Sequence, residues 1–156
     1  MNQKKLKIVL GQINPVVGDI DYNTEKIKNI IERNQDADII VFPEMSLVGY
    51  PLMDHIHDPI IKRRNHEAID SLKSMNSKPA FIIGTFTEPE EIQDRIQHYY
   101  NSAIVIQGKE IKHVVNKRLL PNYDVFDERR YFSYDNQFEP YEYDGIKIGI
   151  LVCEDV

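Results

Sequence analysis

The apolar positions of the chain alternate between two kinds of run. Leu6 to Ile13 is apolar and rich in β-branched residues, and Asn14-Pro15 and Gly18-Asp19 close it, which predicts a buried strand leading into a turn. The next segment changes period. Ile27, Ile30 and Ile31 share one face at helical spacing, Asp21 or Asn23 can cap the helix, and Glu25 suits its first turn. Ala37 to Phe42 is again a short continuous apolar run, ending at Pro43-Glu44. Strand, helix and strand of these lengths predict two parallel strands joined by a crossover helix.

A loop carrying Gly49, Pro51 and Pro59 precedes a second amphipathic helix with Ile61, Ala68, Leu72 and Met75 on one face, and Ala80 to Thr85 gives a third buried strand. Glu88 to Gln97 is polar and predicts a surface excursion. Tyr99 to Ile106 and Glu110 to Val115 then predict antiparallel strands about Gly108. Asn116 to Phe132 has little periodicity and predicts a long loop, of the kind that in compact domains is often functional. Phe138 to Tyr143 and Ile146 to Val152 flank Asp144-Gly145, a strong hairpin signal, so the second strand of that hairpin is expected to deliver Cys153. The whole predicts a mixed sheet with helices on an outer face and no internal linker.

Composition narrows the classes. With 156 residues, 42% apolar and 28% charged, the chain is an ordinary globular mixture with one domain as the default. The net charge of -6, without clusters of Lys or Arg among aromatics, argues against nucleic acid and anionic membranes as partners and favours small molecules. Lys4-Lys5 before apolar residues is like the start of a signal peptide, but Lys7, Gln12 and Asn14-Pro15 interrupt the run. No stretch has the length a membrane helix needs, and a single cysteine makes no internal disulfide, so the cytoplasm is the expected compartment.

Three reactive side chains of different type follow predicted strands: Glu44, Lys117 and Cys153. Strand ends are where α/β sheets carry their sites. A thiol is mostly protonated at neutral pH, so a nucleophilic cysteine needs a base or a positive neighbour, and a carboxylate and an ammonium supply both. Each residue also has an inert reading: Cys153 as a small buried hydrophobe, Glu44 as a turn cap, Lys117 as a solvated surface group. Their spacing does not choose between these. His55-x-His57-Asp58 has the residue types of a metal site but lies between Pro51 and Pro59 without further ligands nearby, and a solvated loop accounts for it better. No Gly-rich phosphate loop is present, so no ATP motif is recognisable.

Four stretches carry a family resemblance: Gly11-Gln12-Ile13-Asn14-Pro15-Val16-Val17-Gly18-Asp19, Val41-Phe42-Pro43-Glu44-Met45-Ser46-Leu47-Val48-Gly49-Tyr50-Pro51, Asn116-Lys117-Arg118-Leu119-Leu120-Pro121-Asn122-Tyr123-Asp124-Val125-Phe126-Asp127-Glu128, and Val152-Cys153-Glu154-Asp155. In this order, spanning nearly the whole chain, they resemble the carbon-nitrogen hydrolase (nitrilase-like) superfamily, and within it the glutaminase domains of glutamine-dependent NAD synthetases. The resemblance implies a catalytic triad of Glu44 as base, Lys117 as oxyanion stabiliser and Cys153 as nucleophile. It further implies Glu128 as a supporting carboxylate, the backbone N–H of Glu154 as a second oxyanion donor, and Tyr50, Tyr123 and Phe126 as walls of a glutamine pocket. For each aromatic, packing under a loop is an equal alternative. The implied substrate is L-glutamine, hydrolysed through a thioester without metal or cofactor. ATP and deamido-NAD would belong to a synthetase domain.

Family members are expected to continue past the nucleophile to complete a four-layer αββα sandwich, an α+β fold, before that synthetase domain. Residues 1–156 would then be about the first half of the hydrolase domain, incomplete at its C-terminus and weakly active or inactive alone. Uncovered sheet edges and apolar faces favour association, hence a homo-oligomer or pairing with a synthetase domain or chain. The alternatives are another nitrilase-like amidase or carbamoylase, sharing the triad but not the substrate, and a non-catalytic interaction fragment.

Overall fold

β1 (Ile8–Leu10), β2 (Ile39–Val41) and β3 (Ala80–Thr87) run parallel, with Ile8 beside Ile39 and Ile39 beside Ala80. β4 (Tyr100–Gln107) and β5 (Glu110–Asn116) extend the sheet antiparallel in the spatial order β1-β2-β3-β4-β5. α1 (Ile20–Arg33) crosses from β1 to β2, and α2 (Pro59–Lys73) crosses from β2 to β3. These are the expected mixed sheet and crossover helices, seen in a computed structural model that describes residues 5–89 and 99–156. Lys4, and from residue 90 onward the polar excursion expected between Glu88 and Gln97, lie outside the described residues.

Both helices cover one face of the sheet. Ile20, Ile27 and Ile31 of α1 and Ala68, Ile69 and Leu72 of α2 pack in one core with Ile40, Phe81, Ile83, Ile104 and Ile106. Alternate residues of the same strands, Ile39, Ala80, Ile82, Ala103 and Val105, face the other way, as the two-residue period of a strand requires. A hairpin of β6 (Tyr141–Tyr143) and β7 (Ile146–Ile148) and the segment after it cover part of this second face, through Tyr141, Ile150 and Val152. The hairpin turns on Asp144 and Gly145, both with positive φ, 50° and 80°, the pair of left-handed residues that a tight hairpin turn needs.

The structure corrects several boundaries. Asp19 caps α1, its Oδ1 accepting from Tyr22 N, and neither Asp21 nor Asn23 does so. Asn23 is buried instead: its Oδ1 accepts from Val16 N, and its Nδ2 donates to Val16 O and Leu47 O, tying two loops together. Pro59 is the first residue of α2, where its missing N–H costs nothing, and Asp58 caps it through Ile60 N. The histidines lie on a 3-10 helix, Met53–His57, and not in an open loop. Within the long loop, Glu128–Arg130 forms a 3-10 turn because Tyr131 N and Phe132 N both donate to Glu128 O. β7 stops at Ile148, well before Val152. The register that sets Tyr141 beside Ile148 would set Pro140 beside Gly149, and proline has no N–H to continue the ladder. Cys153 therefore sits on a separate one-turn 3-10 helix, Cys153–Asp155.

Candidate active site

Glu44 follows β2 on a loop pressed against β3. A Cβ on Gly84 would lie 2.3 Å from Met45 N and 2.5 Å from Pro43 O, so only glycine lets this loop come so close. Gly84 N donates to Ser46 Oγ (3.1 Å) and Leu47 N to Gly84 O (3.0 Å), and Met45 takes a positive φ of 50° to make the bend. Lys117 follows β5, with its N–H on Asn101 O at 2.8 Å. Glu128 comes from the 3-10 turn and Cys153 from the turn after the hairpin. Loops of four different origins thus converge beside the ends of β2 and β5.

Lys117 is the centre of the polar cluster. It is fully buried, and its Nζ donates to Glu44 Oε1 at 2.8 Å and to Glu128 Oε1 at 2.9 Å. Burial works against its charge, but the hydrogen bonds to Glu44 and Glu128 prevail and hold it above its ordinary range. Burial pushes Glu128 up from its ordinary value, with Lys117 opposing, and its Oε2 is buried without a partner among the described residues. Tyr50 Oη donates to Glu128 Oε1 at 3.0 Å, and burial followed by Glu128 raises the phenol further. Asn101 Nδ2 donates to Glu44 Oε1 at 2.7 Å.

Cys153 is exposed and shares a small cleft of about 90 Å³ with Pro43, Glu44, Gly84, Ser102 and Val152. Burial of the sulfur is the main influence raising its thiol. The negative charge of Glu44 adds to this against the pull of Lys117. A free thiolate is thus disfavoured, and the arrangement suits proton transfer to Glu44 as the sulfur attacks. Cys153 has φ 49°, strained for a non-glycine residue and worth about 1–3 kcal/mol, the kind of distortion that functional turns retain. Asp155 holds the turn: Oδ1 accepts from Arg118 N (3.0 Å) and Leu119 N (2.8 Å), and Oδ2 from Val152 N (3.2 Å).

Of the residues read from the sequence, the structure brings together Glu44, Lys117, Glu128, Tyr50 and Cys153. The Glu154 carboxylate turns away, accepting from Tyr123 Oη at 3.0 and 3.1 Å, while its backbone remains beside the sulfur-bearing residue. Tyr123 lines a larger open cleft of about 940 Å³ with Arg118, Asn122, Arg129, Tyr134 and Glu154, next to the turn. Phe126 packs between Tyr50 and Tyr123, with ring centroids at 6.3 and 5.7 Å. His57 packs on Tyr99 and Tyr131, and Asp58 is occupied in capping α2. The roles of Asn101, Asp155 and Gly84 emerge only from the structure. The polar pair Asn101-Ser102 inside an otherwise apolar strand, and a glycine inside a buried one, are the signals that mark two of them.

A buried lysine thus stands between two carboxylates, next to a cysteine on a strained turn beside a helix-backed mixed sheet. The Carbon-nitrogen hydrolase family profile matches residues 7–156, and the chain belongs to that family. It is 39% identical over 155 residues to the glutamine-dependent NAD(+) synthetase of Acinetobacter baylyi, covering 98% of this chain and 28% of that protein. The solved glutamine-dependent NAD+ synthetase of Acinetobacter baumannii superposes with a TM-score of 0.88 at 38% identity, over 98% of this chain and 28% of that one. A nitrilase-superfamily amidase of Nesterenkonia superposes at 0.78 with 19% identity, over 96% of this chain and 56% of that one, a likeness of fold alone. The fold is thus nitrilase-like, and the chain spans a little over a quarter of the synthetases it matches.

Proposed function

We propose that the chain carries the glutaminase chemistry of a glutamine-dependent NAD synthetase: hydrolysis of the side-chain amide of L-glutamine through a cysteine thioester. The observation that carries this reading is the single cluster of Glu44, Lys117 and Glu128 at hydrogen-bond distance, with Cys153 on the same cleft as Glu44, in a chain 39% identical to such a synthetase. Glu44 takes the thiol proton while the sulfur bonds to the amide carbon. Lys117 Nζ and the Glu154 N–H, an amide that the start of a helical turn leaves without an internal partner, stabilise the oxyanion. As the tetrahedral adduct collapses the C–N bond breaks, Glu44 returns its proton to nitrogen, and ammonia leaves. Water, deprotonated by Glu44, then attacks the thioester, releasing glutamate and restoring the thiol.

Glu128 keeps Lys117 charged and oriented, and Tyr50 keeps Glu128 in place. Tyr123 and Phe126 flank the route to the sulfur and contact the amino-acid end of the substrate. The hydrolytic step uses no cofactor of its own. Residues 1–156 are the N-terminal part of the hydrolase domain of a cytoplasmic enzyme, and a synthetase part using ATP and deamido-NAD consumes the ammonia. The coverage of its relatives supports this, and the exposed Ile8 and Leu10, on the second face of the sheet by their register with Ile39 and Val41, support association with a further layer or copy. A chloroketone analogue of glutamine followed by intact mass tests the reading. Labelling at Cys153, slowed by L-glutamine and absent in Cys153→Ser, is expected; labelling no faster than that of a free thiol, or indifferent to glutamine, would refute it.

A further inference from the structure

Asn101 lies in the middle of the site yet belongs to none of the roles assigned so far. It is fully buried on β4, and its Nδ2 donates to Glu44 Oε1 at 2.7 Å. A carboxylate can only accept, so the amide nitrogen must be the end that faces Glu44. That orientation leaves Asn101 Oδ1 buried without a partner among the described residues. Buried polar atoms are rarely left so, and an amide held with its own acceptor unsatisfied is held for the sake of its donor. Its main chain adds a second tie, because Asn101 O accepts the N–H of Lys117 at 2.8 Å. One residue therefore fixes the carboxylate side chain and the backbone of the ammonium residue.

Glu44 Oε1 is thereby engaged twice, by Asn101 Nδ2 and by Lys117 Nζ. The oxygen left to receive a proton is Oε2. We propose that Asn101 is a positioning residue of the base: it pins Oε1 so that Oε2 of Glu44 faces the Cys153 thiol, and it favours the ionised carboxylate that takes the thiol proton. This rests on Glu44 acting as the base. The other groups that face Glu44 are Lys117 from the end of β5, Glu128 and Tyr50 from the loops, and Cys153 itself. Lys117 is the charged donor to Glu44 Oε1, and Asn101 is the uncharged one.

The test is the pH profile of Cys153 acylation by p-nitrophenyl acetate, read as the burst of nitrophenol, on the chain as it stands and on four variants. Wild type shows an acid limb where Glu44 binds its proton, and Glu44→Gln loses that limb. Asn101→Ala moves the limb upward by about one pH unit and lowers the plateau, because a hydrogen bond to the charged form has gone. Asn101→Asp, nearly isosteric, keeps the packing and moves it further upward by setting a second carboxylate beside Glu44. Asn65→Ala, which removes a buried amide on α2 bonded to Thr85 and Phe86 of β3, lowers the melting temperature and leaves the limb where it was. An unmoved limb in both Asn101 variants, with Glu44→Gln still abolishing it, overturns the role of Asn101 alone. No burst in wild type, or a limb that survives Glu44→Gln, overturns the role of Glu44 as base and this inference with it.

Discussion

Replacing Lys117 by methionine tests the electrostatic core of the site, since it keeps the length of a fully buried side chain and removes its charge. Both carboxylate oxygens rest on Nζ, at 2.8 and 2.9 Å, so they lie within about 6 Å of each other and, at an effective dielectric near 20, repel by about 3 kcal/mol once the ammonium is gone. Removing one partner of a buried ion pair costs about 3–5 kcal/mol, much of it from the charge left behind. The variant can relieve that cost by binding a proton, and Glu128, already raised by burial, is the group to bind it. A carboxyl raised in the folded state makes the native form bind more protons than the unfolded one. Stability then falls as pH rises from the unfolded carboxyl value through the folded one, and is regained on acidification. Lys117 in wild type stays charged throughout this window, being held above the ordinary lysine range. The stability difference between Lys117→Met and wild type, from urea unfolding, is therefore expected to be largest near pH 8. It should shrink toward pH 5, by at most about 1.4 kcal/mol per pH unit while one extra proton is held. A difference constant across that range would show that neither carboxylate depends on Lys117 for its charge, and the reading of the cluster would fail.

Three further expectations are simpler. Gly84→Ala sets a methyl against the backbone of Pro43 to Met45, so it should lower stability by about 1–3 kcal/mol and slow Cys153 acylation, both measurable on one preparation; wild-type acylation would contradict the role given to that close approach. Asp155→Ala strands the N–H groups of Val152, Arg118 and Leu119 and frees a strained turn, so the melting temperature and the acylation rate should fall together, while Asp155→Asn, which keeps one acceptor oxygen, should lose less. Glu44→Gln removes a charge that holds the Cys153 thiol up, so thiolate absorbance near 240 nm should appear at lower pH than in wild type even as hydrolysis is lost; an unshifted titration would place Glu44 too far from the sulfur to serve it.

The order of strands and helices was legible because each run carries its own period and its own stop signal, and Asp144-Gly145 names its turn outright. Where local reading failed, a distant partner decided. Asn23 has the composition of a cap, but Val16 and Leu47 claim its side chain and Asp19 caps the helix instead. The strand expected to reach Val152 stops because of Pro140 on its neighbour. The same division runs through the site. Glu44 and Lys117 stand out as reactive chemistry at strand ends, and Cys153 as the single thiol, whereas Asn101, Gly84 and Asp155 are ordinary residue types whose work is done by contacts across 57, 38 and 37 positions of sequence. Reactive side chains can be read one by one, but the conformation that brings them together is held by residues whose partners lie far away in the sequence. Two of these supports meet Glu44 and Lys117 through the backbone, Gly84 at the Glu44 loop and Asp155 at the residues after Lys117. Substitutions at either should therefore disturb the reaction without changing any group that takes part in it.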